Sequence, residues 1–137
     1  MKKILSITMM MLALMVATFS FTSCGSDDDN NGQAYKLEVA LTIDEPGNLS
    51  TAECQELIMQ AAQMTTTAVH NSDAEAEIAT GMAAEAMAHG LESKKDAFGD
   101  AIFTYAFKCT KVSNGAQVIT YYVGFNEGDI TVYNNKN

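Results

Sequence analysis

Arginine and tryptophan are both absent from this 137-residue chain, and basic side chains are few. Eight lysines stand against seventeen acidic residues, which gives a formal net charge of −9. Nucleic acid binding requires positive charge against phosphate, so this composition disfavours a nucleic acid partner. Phosphate-binding sites usually rely on forked arginine side chains and are disfavoured for the same reason. The lack of tryptophan also weakens the case for a sugar-binding surface, since tyrosine is then the main stacking residue.

Motifs for catalysis are lacking as well. No serine or cysteine stands in a recognisable nucleophile setting, and the chain has no glycine-rich phosphate loop. Carboxylates are plentiful, but in so acidic a chain we expect most of them on solvated surfaces. The sequence therefore predicts a protein that is not an enzyme and needs no cofactor, with a small hydrolase as the last alternative.

The N-terminal segment has the parts of a secretory signal in their usual order. Lys2 and Lys3 precede the uncharged stretch ILSITMMMLALMVATFSF, which runs from residue 4 to residue 21. A basic start, an apolar middle and small residues at the end are typical of cleaved signals. A transmembrane helix would more often be followed by a basic cluster, and none follows here. We expect residues 1–23 to be removed, with an uncleaved anchor as the alternative.

The residues around Cys24 indicate how the chain is then held. FTSC places Thr22 and Ser23 directly before Cys24, and the acidic run SDDD follows at residues 26–29. This arrangement resembles the lipobox and acidic export signal of Bacteroidetes-type surface lipoproteins, with Phe21 in place of the usual leucine. The resemblance implies acylation of Cys24, including a palmitate-type chain. It also implies an outer-membrane anchor through that lipid, with the protein facing the cell exterior.

Cleavage before Cys24 leaves six lysines against all seventeen acidic residues, with Cys54 and Cys109 as the unmodified cysteines. An even number of cysteines in an oxidising compartment favours a disulfide between them. Two buried thiols are an equal alternative, because sequence does not give the separation of their Cα atoms. We predict that residues 24–33 form a flexible acidic linker. Residues 34–137 are enough for one small domain.

Hydrophobic periodicity predicts an α+β fold for that domain. YKLEVALTI, from residue 35 to residue 43, alternates apolar and polar side chains as a half-buried strand does. Ser50 with Glu53, and Ser72 with Glu75, have the spacing of capping boxes at two helix starts. The HNSD segment at the second start marks either a break between two helices or a bend in one.

The last third of the chain predicts consecutive strands. FTYAFKC (103–109) and ITYYVGF (119–125) both alternate. A three-residue loop at Ser113–Gly115, with Gly115 in a bulge, pairs Cys109 with Ile119 and puts both apolar sets on one face. A two-residue turn would mix the two sets, so we predict the bulged loop.

The predicted order is β-α-α-β-β-β, a two-layer arrangement of a four-stranded antiparallel sheet with one or two helices on one face. This order resembles a cystatin-like arrangement, although QVITYYVG (117–124) does not fit the Gln-x-Val-x-Gly hairpin motif of that family. The resemblance implies a protease-inhibitor or immunity-type protein as an alternative function.

Two tyrosines on the other face of the sheet form a candidate ligand platform. A two-residue turn at Glu127–Gly128 starts the last strand and sets Tyr122 opposite Tyr133, away from the helices. Tyrosine offers contact area and a hydroxyl at small entropic cost, so this patch is suited to a glycan or a protein partner. The alternative is a cross-strand pair that only stabilises the sheet.

The linker also matches the spacing of a calcium-binding loop. In DDDNNGQAYKLE, Asp27, Asp29, Asn31 and Glu38 stand at ligand positions, with Gly32 at the turn. The flanking helices are missing, because Glu38 is predicted on a strand and too few residues precede Asp27. We therefore predict no metal site, with the calcium loop as a weak alternative.

These observations predict a surface-tethered binding or accessory module without catalytic activity. Its membrane contact is the lipid on Cys24, and its partner is a protein or a glycan. The inhibitor and the small hydrolase are the alternatives, in that order.

Overall fold

The computed structural model of the protein describes residues 33–93 and 95–135. These residues form one five-stranded antiparallel sheet and three helices, which confirms the α+β class. The order across the sheet is β2-β1-β3-β4-β5. In chain order the elements are β1 (Gln33–Glu45), α1 (Thr51–Ala62), β2 (Thr65–His70), α2 (Asp73–Ser93), α3 (Lys95–Phe98), β3 (Ile102–Lys111), β4 (Gln117–Asn126) and β5 (Asp129–Asn134).

The prediction of four strands in the order β-α-α-β-β-β was wrong, because the structure has one further strand, β2, and a short further helix, α3. The extra strand, β2, occupies TTTAVH, which the sequence analysis assigned to the end of the first helix. Met64 and Ala68 do continue the helical spacing of α1. However, Thr65, Thr66 and Thr67 form a β-branched run that favours extended backbone. The two helices are therefore separate, and a strand lies between them.

Strand β1 lies between β2 and β3, and the side chains on its inward face are apolar. Tyr35, Leu37, Val39 and Leu41 are buried. The strand pairs with β2 along its first half and with β3 along nearly its whole length. The connection back from its far end runs through α1, which contacts β1. The helix and β2 thus follow β1 back toward its start.

The predicted register of the C-terminal strands is confirmed. Cys109 lies opposite Ile119, and Tyr122 lies opposite both Ala106 and Tyr133. The last turn has positive φ at Glu127 (52°) and at Gly128 (99°), as a tight two-residue hairpin requires. The apolar sets of β3 and β4 therefore share one face, as their alternation indicated.

The β3–β4 loop differs from the prediction in its detail. The Lys111 amide donates to the Ala116 carbonyl (2.9 Å), so the loop has four residues, Val112–Gly115. Gly115 does have positive φ (73°), but the register shifts farther along, where Val118 is the extra residue. The bulge at Val118 restores the register in which the apolar side chains of β3 and β4 lie on the same face of the sheet.

Both helices begin at the predicted caps. In α1 the Glu53 amide donates to Ser50 Oγ (3.1 Å), and the Ser50 amide donates to the Glu53 carboxylate (2.9 Å). In α2 the Glu75 amide donates to Ser72 Oγ (3.2 Å), while the Glu75 carboxylate accepts from the Asn71 amide (2.8 Å). Capping supplies partners for amides that the first turn leaves unsatisfied.

Helix α2 lies over the sheet, mainly across β4. Its buried side is built from small residues, which permit close approach, and from two larger ones near its end. The side chains concerned are Ala76, Ala79, Thr80, Ala83, Ala84, Met87 and Leu91. None of the helices in the described residues is long and apolar enough to cross a membrane.

Candidate ligand-binding face

The outward side of the sheet, away from α2, is called the open face here. It carries the side chains on all five strands that alternate with those directed toward the core. The register aligns them in rows across the strands. One row runs Thr65–Glu38–Lys108–Thr120, and the next runs Ala40–Ala106–Tyr122–Tyr133.

The predicted tyrosine pair lies on this face and is in contact. The rings of Tyr122 and Tyr133 stack with centroids 5.1 Å apart and an angle of 22° between their planes. Tyr133 is half exposed (50%). On its other side Tyr122 has only the methyl group of Ala106 as its cross-strand neighbour. The two rings therefore stand above the adjoining surface, and the ring of Tyr122 borders a recess over Ala106.

A cleft of about 550 Å³ occupies this recess. Tyr122 forms one wall, and Ala62 with Thr65, at the junction of α1 and β2, forms the opposite one. Ala40 and Ala106 line the bottom. The two walls are three strand spacings apart, about 14 Å. The volume is within the usual range for small-molecule sites.

Polar groups line one side of this cleft. Glu38 and Lys108 are directly opposite each other on β1 and β3. The Glu38 carboxylate also lies 3.3 Å from the Lys36 ammonium. Gln117 donates its side-chain amide hydrogen to Thr120 Oγ1 (2.7 Å). The cleft therefore offers a carboxylate acceptor, an ammonium donor and hydroxyl groups within one row.

Of the two alternatives for Cys54 and Cys109, the structure has the free thiols, with no bond between them. Cys109 lies opposite Leu37, near the start of β1. Cys54 lies in the first turn of α1, which begins beyond the far end of that strand. The topology thus separates residues whose Cα atoms would have to approach within about 7 Å. Burial raises the pKa of both thiols, as expected for structural cysteines.

Of the calcium-loop positions, only Glu38 lies within the described residues. Asp27, Asp29 and Asn31 lie outside the described residues, as does Cys24. Glu38 is on β1, as predicted, and its carboxylate belongs to the cleft. Within residues 33–93 and 95–135, no group of three or more acidic, histidine or cysteine side chains has the placement of a metal site.

A second polar cluster lies near the start of β1, on the buried side. The Tyr35 hydroxyl donates to Asp73 Oδ1 (2.7 Å), and the Lys111 ammonium lies 3.3 Å from Asp73 Oδ2. The ring of His70 packs 5.5 Å from that of Tyr35. Burial, with the neighbouring Asp73 carboxylate, raises the pKa of Tyr35 far above its usual range, and burial lowers the pKa of His70. This cluster joins β1, β2 and β3 to the start of α2.

The register predicted from the sequence places Tyr122, Ala106 and Lys108 together on one face, but it does not predict the parts of the cleft that β1, α1 and β2 supply. Ala40, Ala62 and Thr65 take their places through the pairing of β1 with β2 and β3, which joins segments distant in the sequence. The run of threonines was the available signal for β2, and hence for the wall at Thr65.

No family model, no curated protein and no solved structure matches this chain. The assignment of a function therefore rests on the geometry of the open face and on the sequence of the N-terminal segment.

Proposed function

We propose that this protein is a non-catalytic binding or accessory module, anchored to the outer membrane by a lipid on Cys24 and facing the cell exterior. Its ligand lies in the cleft of the open face. The observation that carries the proposal is the cleft itself, with Tyr122 as one wall and two alanines as its floor.

The make-up of the open face supports binding over a purely structural role. A cross-strand tyrosine pair that served only the sheet would need no recess beside it. Here, Ala106 and Ala40 continue the row of the pair, and their methyl groups are too small to fill the space beside Tyr122. Aromatic area beside convergent polar groups is the common form of a ligand site.

The anchor is tested by replacing Cys24. In the producing cells, the wild-type chain should fractionate with the outer membrane and incorporate labelled palmitate. Cys24→Ser should lose the label and leave the membrane fraction, because no thiol is then available for acylation. Labelled, membrane-bound Cys24→Ser protein would contradict the proposal, as would an unlabelled wild type that still begins at Met1.

The binding role is tested with a matched pair of variants on β1. Ala40→Leu fills the floor of the cleft, whereas Thr42→Leu adds a leucine two residues along the same face, outside the cleft. Both positions are exposed, so neither change disturbs the core. A cell-surface ligand captured by wild type and Thr42→Leu, but not by folded Ala40→Leu, would support the proposal. Equal capture by all three would contradict a role for the cleft.

An inhibitor or immunity-type protein is the second candidate, and one observation favours it. Val112 on the β3–β4 loop is 54% exposed, and Val69 on β2 is 46% exposed. Both adjoin Ala34 on β1, through a backbone hydrogen bond and through strand pairing respectively. An exposed loop beside apolar side chains is a surface that suits insertion into a partner's cleft. The cystatin-like order of elements supports this candidate only faintly, because β2 interrupts that order.

The inhibitor reading is tested by assaying proteases of several classes with the purified protein. Inhibition that Val112→Asp abolishes and Ala40→Leu leaves intact would establish the loop as the active part. An absence of inhibition at high micromolar protein would remove this candidate.

A further inference from the structure

We infer that the ligand of the cleft is a neutral, hydroxyl-rich oligosaccharide, an inference that rests on the proposed binding function. Four observations on the open face carry it: the balance of charge in the cleft, the mixture of donors and acceptors, the aromatic wall and the pairing of the backbone beneath.

The charge of the cleft favours an uncharged ligand. Its lining holds one carboxylate, Glu38, and one ammonium, Lys108, in directly paired positions. Lys36 adds a cation beside Glu38 on the neighbouring row. A phosphate or carboxylate ligand would meet Glu38, and no arginine exists in the chain to offset that repulsion. The strongly acidic remainder of the protein disfavours an anionic ligand further.

The polar groups of the cleft suit hydroxyl partners. Glu38 only accepts hydrogen bonds and Lys108 only donates them, while Thr65 and Thr120 can do both. A ligand that satisfies all of them must carry groups that donate and accept at short intervals. Sugar hydroxyls have this property, and adjacent strands place the protein groups about 4.8 Å apart.

The apolar part of the cleft matches the other side of a sugar ring. Tyr122 offers aromatic surface, and Ala40 and Ala106 leave room beside it. Tyr133 stacks on the far side of Tyr122 and holds that ring in place. Aromatic side chains present rigid area at small entropic cost, so tyrosine serves here in the absence of tryptophan.

The backbone beneath the cleft disfavours an extended peptide. Glu38, Ala40, Lys108 and Ala106 lie on β1 and β3, and each of these strands is paired on both sides along at least part of its length. A peptide bound as an added strand needs an open sheet edge. Beyond Glu38 the β2 side of β1 has no paired strand, but Ala106, Lys108 and Tyr122 each have a paired strand on both sides. Recognition in the cleft therefore depends on side chains, which is how hydroxyl-rich ligands are bound.

The test uses the purified full-length protein and the same two variants in two arms. The first arm titrates soluble tetrasaccharides of glucose, xylose, mannose and N-acetylglucosamine, with a galacturonic acid tetramer as the anionic comparison. The second arm selects ligands from a phage-displayed peptide library. We expect saturable binding of at least one neutral tetrasaccharide. Ala40→Leu should weaken it at least tenfold, and Thr42→Leu should change it less than twofold.

The arms separate failure of this inference from failure of the proposed function. Suppose that the protein binds only the galacturonic acid tetramer, or only peptides, and that Ala40→Leu weakens this binding at least tenfold. That result would overturn the inference of a neutral sugar ligand and would still support the proposed binding function. Sugar binding that is insensitive to Ala40→Leu would overturn the cleft as the site. No ligand in either arm, with folding confirmed by circular dichroism, would overturn both.

Discussion

At the scale of single residues, two buried tyrosines show how the same side chain plays opposite roles. Tyr35 and Tyr105 both point into the core and are almost fully buried. The Tyr35 hydroxyl donates to Asp73 at 2.7 Å. The Tyr105 hydroxyl has no hydrogen-bond partner among the described residues. A buried hydroxyl without a partner costs the free energy of its desolvation.

We therefore predict opposite effects for the two phenylalanine substitutions. Tyr35→Phe should lower the free energy of unfolding by about 1 kcal/mol, because it removes a hydrogen bond to a carboxylate. This value is reduced from that of a fully buried bond because Asp73 is partly exposed. Tyr105→Phe should leave it unchanged or raise it by about 1 kcal/mol, because it removes only the desolvated hydroxyl. Urea denaturation of both variants checks this. A large loss in Tyr105→Phe would mean that its hydroxyl has a partner in solution.

At the scale of elements, the connection from β1 to α1 depends on one glycine. Gly47 has positive φ (55°) and lies against the segment that leads into β3. A Cβ atom there would lie 2.7 Å from the Ala101 amide nitrogen. Gly115, in the β3–β4 loop, also has positive φ (73°), but a Cβ atom there would have no heavy atom within 4 Å.

This pair separates backbone strain from crowding. Gly115→Ala should lower the free energy of unfolding by about 1 kcal/mol, the cost of a left-handed conformation alone. Gly47→Ala adds a contact with backbone that cannot move aside, so its loss should reach about 2–4 kcal/mol. Thermal and urea unfolding measure both variants. Equal losses would indicate that the Asp100–Ala101 segment yields without cost.

The strands also show which parts of the fold can be predicted from sequence patterns alone. The register of β3, β4 and β5 could be predicted because each strand alternates strictly and short loops leave few pairings. Tyr122 and Tyr133 followed from that register. The strand β2 was missed because Met64 and Ala68 fit a helical stripe equally well, and only tertiary pairing with β1 decides between the two. The bulge at Val118 was misplaced because positive φ at Gly115 suits either loop.

At the scale of the whole molecule, the buried His70 links stability to pH. Its ring packs against that of Tyr35 on β1, and the Glu75 carboxylate on α2 interacts with it electrostatically. Burial lowers the pKa of His70 below 6.5, and Glu75 offsets only part of this. The folded state therefore prefers the neutral ring. As the pH falls below 6.5, the unfolded chain binds the proton more readily than the folded state does, so the free energy of unfolding decreases. Above pH 6.5 the ring is neutral in both states, and His70 contributes no pH dependence to stability.

We predict that the wild type loses stability between pH 7 and pH 5.5 and that His70→Gln loses less. His89→Gln is the matched control, since it makes the same substitution at an exposed position on α2. Urea denaturation at three pH values measures the slopes, and the ring protons of His70 report its titration directly. A ring that titrates above pH 6.5 would reverse the predicted sign.

Strand β1 has a mechanical consequence for a tethered protein. It begins at Gln33, at the end of the described chain nearer the proposed anchor residue Cys24, and it carries Glu38 and Ala40 of the cleft. Tension between the tether and a held ligand would thus pass through one half of a single strand. That half is bonded on both sides, to β2 and to β3, by hydrogen bonds roughly perpendicular to the pull. Such a ladder is loaded in shear, so its bonds share the force along the strand and do not break one after another from an end.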